Sequence, residues 1–305
     1  MAIDKTKYAG TSDFAGFLEP KQAAPIFEEV TRQSLVQPLA QKIEMGPTGV
    51  SIPFWDGDVQ ASWVDEGGKK PLTKGGFDKF TIQPKKIAAI FAMSSEVVRA
   101  NPHNYIQIMR QKVAEAFAKK FDDAALHGID TPFGDYVDMT TKSVTLGDNA
   151  YGATNNALDL LIKDGKKFTG GLLDARAEPI INGSKDANDR PLFIEPTYTE
   201  TNSLTRQGRI LSRPVAIADH VAQVKDNVVQ DNVIGYYGDF SKIMWGQIGG
   251  ISYDVSDQAT LDLSAEQDGS GLTSLWQHNL VAVRCEAEFA IKVRDKDAFV
   301  KVKEA

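Results

Sequence analysis

What this chain has too little of narrows it first. Among 305 residues there is one cysteine, Cys285, so no intrachain disulfide can form and stability must come from packing and association. The four histidines, His103, His127, His220 and His278, are scattered and no His-Glu-x-x-His pair joins them, so their spacing offers no zinc site. No apolar run approaches the ~18 residues that cross a bilayer, and the opening MAIDKTKYAG lacks the apolar centre of a signal peptide. These absences point to a protein made and folded in a reducing cytoplasm, with no membrane partner. A phosphate-cradling loop is missing too. GGKKPLTKGG has glycines and lysines but not the strand–loop–helix order that such a loop needs. No internal repeat or low-complexity tract is present.

Catalytic constellations are equally scarce. Asp122 and Asp123 are adjacent on a helical pattern and so diverge by about 100°, which reads as a solvated pair rather than an acid/base couple. Cys285 falls on the apolar side of an alternating run and reads as a small buried hydrophobe, not a nucleophile. No enzyme, cofactor or metal is expected. The net charge of −7 argues against a general polyanion binder while leaving room for a local basic patch.

What is present is a well-furnished soluble chain. A hydrophobic fraction of 42% with 25% charge excludes a disordered polymer and predicts a sizeable core. Residues 1–19 read as an extended arm carrying Phe14 and Phe17, which orders against something else. A helical pattern follows from Pro20 to Leu39, with Ile26, Val30 and Leu35 roughly on one face. Asn101 and Pro102 then supply an N-cap and a first-turn proline for a long helix over 102–127. Its apolar stripe runs through Ile106, Met109, Val113, Phe117, Phe121 and Ala124, with a Glu115–Lys119 pair outside. A shorter helix over TNNALDLLIKDGKKF turns Leu158, Leu161 and Ile162 inward. GRILSRPVAIAD reads as strand, turn, strand. Finally, Val281, Val283, Cys285, Ala287, Phe289, Ile291 and Val293 alternate with Arg284, Glu286, Glu288, Lys292 and Arg294, giving one dry face and one charged face.

The most informative stretch lies between the first two helical patterns. Val50, Ile52 and Phe54 alternate on one side of VSIPFW, the alternation resumes through Val59, Ala61 and Trp63, and Phe80 and Ile82 lie on a return limb. This reads as a two-stranded hairpin whose outgoing limb runs from Val50 to Asp65. Such a limb could extend roughly 50 Å, against a radius of gyration of about 19 Å for a compact globule of this size. It therefore bends back or is covered by another molecule, and the second is favoured because an isolated ribbon is marginal in water. Trp63 would bury about 200 Å² when covered, worth up to about 5 kcal/mol, and reads as an interface anchor. The Lys69, Lys70 and Lys74 cluster has Asp65 and Glu66 beside it and reads as a solvated or protein-facing tip.

The order of parts, together with FLEPKQAAPIFEEVTRQSLVQPLA, the Trp63-Val64-x-Glu66 run, QPKKIAA, MSSE, IQIMRQKVAEAFAKKFDDAALHG and the later strand segments, resembles the major capsid proteins of tailed bacteriophages. The likeness covers most of the chain and is weakest between 165 and 205. It implies an α+β fold of the Hong Kong 97 type. Residues 1–45 would be an N-terminal arm and short helix, and 50–84 an extended loop lying over a neighbouring subunit. Residues 85–144 and 236–305 would form a peripheral domain containing the spine helix, and 145–235 an axial domain. The implied inter-subunit contacts are Phe14, Phe17, Trp55, Trp63, Asp65, Glu66, Lys69, Lys70, Lys74, Phe77 and Phe80. The implied role is a shell subunit of the virion that assembles through hexamers and pentamers around double-stranded DNA, beside a portal and a separate scaffold protein. The stretch before the arm leaves no room for the cleavable scaffolding region that some members carry, so a separate scaffold protein or none, and no maturation cleavage, is expected. Lys69 or Lys70 occupies a loop position used for covalent Lys–Asn links in some members, but no partner Asn or promoting Glu can be named. An encapsulin-like bacterial compartment is the alternative on the same fold.

Overall fold

The computed structural model of the chain describes residues 8–9, 34–56, 61–66, 68–70, 76–101, 104–147, 149–184, 205–225, 228–264 and 269–305. In chain order the elements begin with β1 (Tyr8–Ala9), β2 (Gln41–Lys42), β3 (Val50–Asp56), β4 (Gly76–Ile82), β5 (Lys85–Ser94), α1 (Ser95–Ala100) and α2 (Tyr105–Leu126). The middle of the chain supplies β6 (Ser143–Leu146), α3 (Ala150–Lys163), β7 (Gly170–Asp174), α4 (Ala177–Gly183), β8 (Thr205–Ile210), β9 (Arg213–Ala218), β10 (Val224–Lys225) and β11 (Val228–Val229). The last third adds β12 (Val233–Gly238), β13 (Ile243–Ser256), β14 (Thr260–Asp262), β15 (Leu272–Ser274), β16 (Leu280–Val293) and β17 (Phe299–Glu304).

Two sheets carry the architecture. The first has the order β1-β5-β16-β13-β2, with the long strand β16 antiparallel to both β5 and β13. Its alternation is the one expected. Val283, Cys285 and Ala287 face α2 and pack with Met93, Val113 and Phe117. On the opposite face Lys86 pairs with Glu286 at 3.2 Å and Arg284 with Asp254 at 2.8 Å. Burial also pushes the Cys285 thiol up from its ordinary value.

The long helix is shorter than the sequence predicts, beginning at Tyr105 rather than 102. Its 22 residues span about 33 Å. The reason lies in Asn101, which closes α1 in a left-handed conformation (φ 35°, ψ 56°) instead of opening α2. The Asn101 side chain still serves the second helix, since its Oδ1 accepts from the Ile106 N–H at 3.3 Å. Glu115 pairs one turn back with Lys112, at 3.3 Å, rather than forward with Lys119.

The second sheet has the order β6-β17-β12-β7-β9-β8, with strands drawn from both sides of residues 145 and 235. The expected β8–β9 hairpin is present, and its two-residue turn puts Leu211 and Ser212 at φ 51° and 62°, the geometry that matches strand twist. On one face α3 buries Ala153, Ala157 and Leu161 against Leu146, Leu173, Ile217 and Val302. Leu158 packs at the edge of that cluster, but Ile162, expected inside, is 60% exposed. It stands about 100° from Leu161, and the buried stripe follows 150, 153, 154, 157 and 161. The consecutive residues Tyr236 and Tyr237 point to opposite faces of β12. Tyr237 joins the core beneath α3, while Tyr236 joins a third cluster with Phe121, Leu126, Trp245, Ile291 and Phe299. That third cluster welds the two sheets and the C-terminal half of α2 into one body.

Candidate assembly surface

The hairpin is real, but its regular part is shorter than its alternation suggested. The β3–β4 ladder runs from Val50↔Ile82 to Asp56↔Gly76, and residues 61–66 beyond it carry no strand pairing. Seven residues at about 3.4 Å make a ladder of about 24 Å. The alternation through Val59, Ala61 and Trp63 therefore does not extend the described ladder past Asp56.

The two faces of this ladder differ. On the inner face Ile52, Phe80 and Ile82 pack onto Met244 and Ala290 of the first sheet, with Ile43 and Met45 closing the edge. Phe54 stacks obliquely on Phe80 with centroids 5.8 Å apart, and the Arg294 guanidinium lies 5.0 Å over the Phe54 ring. Gly246 is required beneath this joint, because a Cβ there would come within 2.8 Å of the Met45 methyl and 2.9 Å of the Ile43 carbonyl. The outer face offers Trp55 and Phe77 as cross-strand neighbours, edge to face at 5.3 Å. They are 49% and 78% exposed, and Trp63, in the segment joining the two strands, is fully exposed at 104%. Asp65, Glu66, Lys69 and Lys70 are all exposed around a turn closed by the Gly68 N–H donating to the Asp65 carbonyl at 2.9 Å.

Of the residues singled out in the sequence, Trp55 and Phe77 share the outer face of the ladder, and Trp63, Asp65, Glu66, Lys69 and Lys70 are exposed in the segment that joins its strands; ladder and segment together make up one finger. Phe80 separates from them, since it faces inward and anchors the finger to its own chain. Phe14, Phe17 and Lys74 lie outside the described residues.

Asp122 is where the sequence reading fails outright. It is not solvated but 1% exposed, and it clamps the segment that enters the hairpin. Its carboxylate accepts from the Ser34 hydroxyl at 2.6 Å, the Leu35 N–H at 2.9 Å and the Val36 N–H at 3.3 Å. Of the helix expected over 20–39, the described part, 34–39, is instead a turn. It is closed by the Leu39 and Ala40 N–H groups donating to the Val36 carbonyl. The remainder lies outside the described residues. The clamp holds the connector in place, and the connector continues through β2, beside Trp245, to Gly49 and the hairpin.

Among the described residues no group of three or more His, Cys, Asp or Glu side chains could hold a metal ion. No described helix is long and apolar enough to cross a membrane.

Residues 15–304 match the phage capsid family, and the chain belongs to it. It is 54% identical over 315 residues to the probable major capsid protein gp17 of Mycobacterium phage L5, covering 99% of this chain and 94% of that one. It is 52% identical over 309 residues to the corresponding protein of Mycobacterium phage D29, with 98% and 94% covered. Among solved structures, a chain from Mycobacterium phage Adephagia superposes with a TM-score of 0.73 at 17% identity, covering 96% of this chain and 97% of that chain. That likeness carries the fold, which is the α+β capsid fold of the Hong Kong 97 type expected from the sequence. As a member of this family the chain is a structural protein of the virion that assembles with copies of itself.

Proposed function

We propose that the protein is the major capsid subunit of a tailed phage, assembling through hexamers and pentamers into an icosahedral shell around double-stranded DNA. In this reading the finger is its principal hand-hold on a neighbour. One observation carries the proposal: the finger is rooted in its own chain by Ile52, Phe80 and Ile82, yet holds Trp55, Phe77 and Trp63 out into water. A rigid root with an apolar outer face gains stability only when another surface covers that face. Repetition of the contact around a closed shell lets modest pairwise energies accumulate. Residues 1–45 act as an arm, 50–84 as the extended loop, 85–144 and 236–305 as the peripheral part around α2, and 145–235 as the axial part. A portal, a separate scaffold protein and packaged DNA bound without sequence preference are the further partners, and synthesis occurs in the bacterial host cytoplasm. The subunit performs no chemistry.

Electron microscopy of the expressed chain, alone and with its scaffold, tests this reading. Closed shells with five- and six-fold capsomers are the expected product. A monodisperse small species under all salt and scaffold conditions refutes it, and shells that form only around a protein cargo would assign the chain to a bacterial compartment.

A further inference from the structure

A further apolar surface lies away from the root of the finger, along the same sheet. β14 and β15 pair as a short antiparallel ribbon. Its inner side sets Leu261, Leu263 and Leu275 on Leu280 and Ala282, at the start of β16. The finger is rooted near the other end of that strand, where Ile52, Phe80 and Ile82 pack with Ala290. From Ala282 to Ala290 a strand advances about 27 Å, so the two roots are well separated. Along 272–276 burial alternates: Thr273 and Leu275 are covered, while Leu272 is 68% and Trp276 74% exposed. Of the four tryptophans, Trp55 and Trp63 belong to the finger, Trp245 is buried, and Trp276 stands at this ribbon.

Trp276 sits on a braced turn. The Leu275 N–H donates to the Ala259 carbonyl at 2.9 Å, and the Leu280 N–H closes the turn onto the Leu275 carbonyl at 2.9 Å. The Asn279 carbonyl accepts from the Ser95 N–H at 3.0 Å, and the Asn279 side-chain amide donates to Glu96 Oε1 at 2.7 Å, both at the start of α1. Across the ribbon, the Asp262 carboxylate accepts from the Ser264 N–H at 2.9 Å and the Gly271 N–H at 3.2 Å. The turn is therefore tied to the ribbon, to β16 and to α1, and presents its indole from a fixed base.

Symmetry requires a surface of this kind. One head-to-tail contact, repeated, closes a ring and goes no further, so joining rings into a shell needs a second contact made by different residues. Taking the finger as the contact within a ring, which rests on the function proposed above, leaves that second role unfilled. We propose that Leu272 and Trp276 fill it: through them a subunit of one ring meets a copy of this chain in the next ring. The area favours this occupant over a separate, tightly held partner. Together the two side chains expose roughly 250 Å² of apolar surface, against about 800 Å² per side in a lasting binary complex. Such a contact is weak between two free subunits and becomes decisive when every subunit of a closed shell makes it at once.

Trp276→Ala and Leu272→Ser, compared with wild type and Trp63→Ala, test this by analytical ultracentrifugation and electron microscopy over a concentration series, with melting curves to check folding. Trp276→Ala should raise the concentration needed for closed shells about a hundredfold while five- and six-membered rings still form. Trp63→Ala should lose the rings as well. Oxidative footprinting of the wild-type chain gives a reading that stands even if a variant does not fold: Trp276 should be labelled in the free subunit and protected in shells assembled from the pure chain. Three results overturn the proposal: shells at the wild-type concentration in both variants, rings lost together with shells, or Trp276 labelled equally in shells and subunits. The last would leave the surface to a partner of another kind. The function proposed above fails separately, when the wild-type chain forms neither rings nor shells, and this inference then fails with it.

Discussion

Replacing Trp63 with alanine separates the two lives of this chain, as a folded unit and as a building block. The side chain is fully exposed in the isolated subunit, so its loss should change folding stability by no more than about 0.5 kcal/mol. Covered by a neighbour, the indole would remove about 200 Å² from water, or about 5 kcal/mol at about 25 cal/mol per Å². Alanine would retain roughly a quarter of that, leaving a loss of about 3–4 kcal/mol per subunit. At 1.4 kcal/mol per factor of ten, the concentration needed for assembly rises by about two to three orders of magnitude. Thermal melting of the subunit and a concentration series of light scattering, with particles counted by electron microscopy, measure the two effects separately. Trp245→Ala is the contrast. That ring is 7% exposed, meets Phe121 edge to face at 5.8 Å and donates from Nε1 to the Gln37 carbonyl at 3.2 Å. Its removal should cost the fold itself about 3–5 kcal/mol. The reasoning is refuted if Trp63→Ala melts like Trp245→Ala, or if it assembles at the wild-type concentration.

Other perturbations test the framework behind the finger. Asp122→Ala strands the Leu35 and Val36 amides and the Ser34 hydroxyl, a loss of about 3–5 kcal/mol for groups left buried without partners. A lowered melting temperature and faster proteolysis near residue 34 are the expected signs, with Asp123→Ala much closer to wild type. On α3, Leu161→Ala removes a fully buried side chain and should cost about 2–5 kcal/mol. Ile162→Ser, at the exposed neighbour, should stay within about 0.5 kcal/mol in the isolated subunit. Melting curves of the two variants decide between the observed helix rotation and the one expected from composition.

How much was legible in the sequence follows how local each signal is. The alternation of β16, the β8–β9 turn and the body of α2 depend on residues within a few positions of one another, and each is found where its pattern placed it. The hairpin register is legible for the same reason, but its end is not. Alternation past Asp56 describes which side chains could share a face, not where the described ladder stops. Asp122 is illegible because its partners lie 86–88 residues away, and nothing near it in sequence separates a clamped carboxylate from a solvated one. Asn101 was placed at the right junction but given to the wrong helix, since the same residue type closes one helix and opens another. The exposure of Trp63 and Phe77 was readable from a hairpin too long to lie over its own core, while Trp55 entered only through the family resemblance. The inward turn of Phe80 was not, because it depends on Met244 and Ala290, far along the chain.

The place of β17 has a consequence for manufacture. Phe299–Glu304 is not an edge strand; it lies between β6 and β12, parallel to the first and antiparallel to the second. A ribosome must therefore release the chain through Glu304 before that sheet can close, and a product terminated before Phe299 is left with a gap in its middle. Strand order thus makes the six-stranded sheet sensitive to truncation: any product that stops before Phe299 lacks its interior rung.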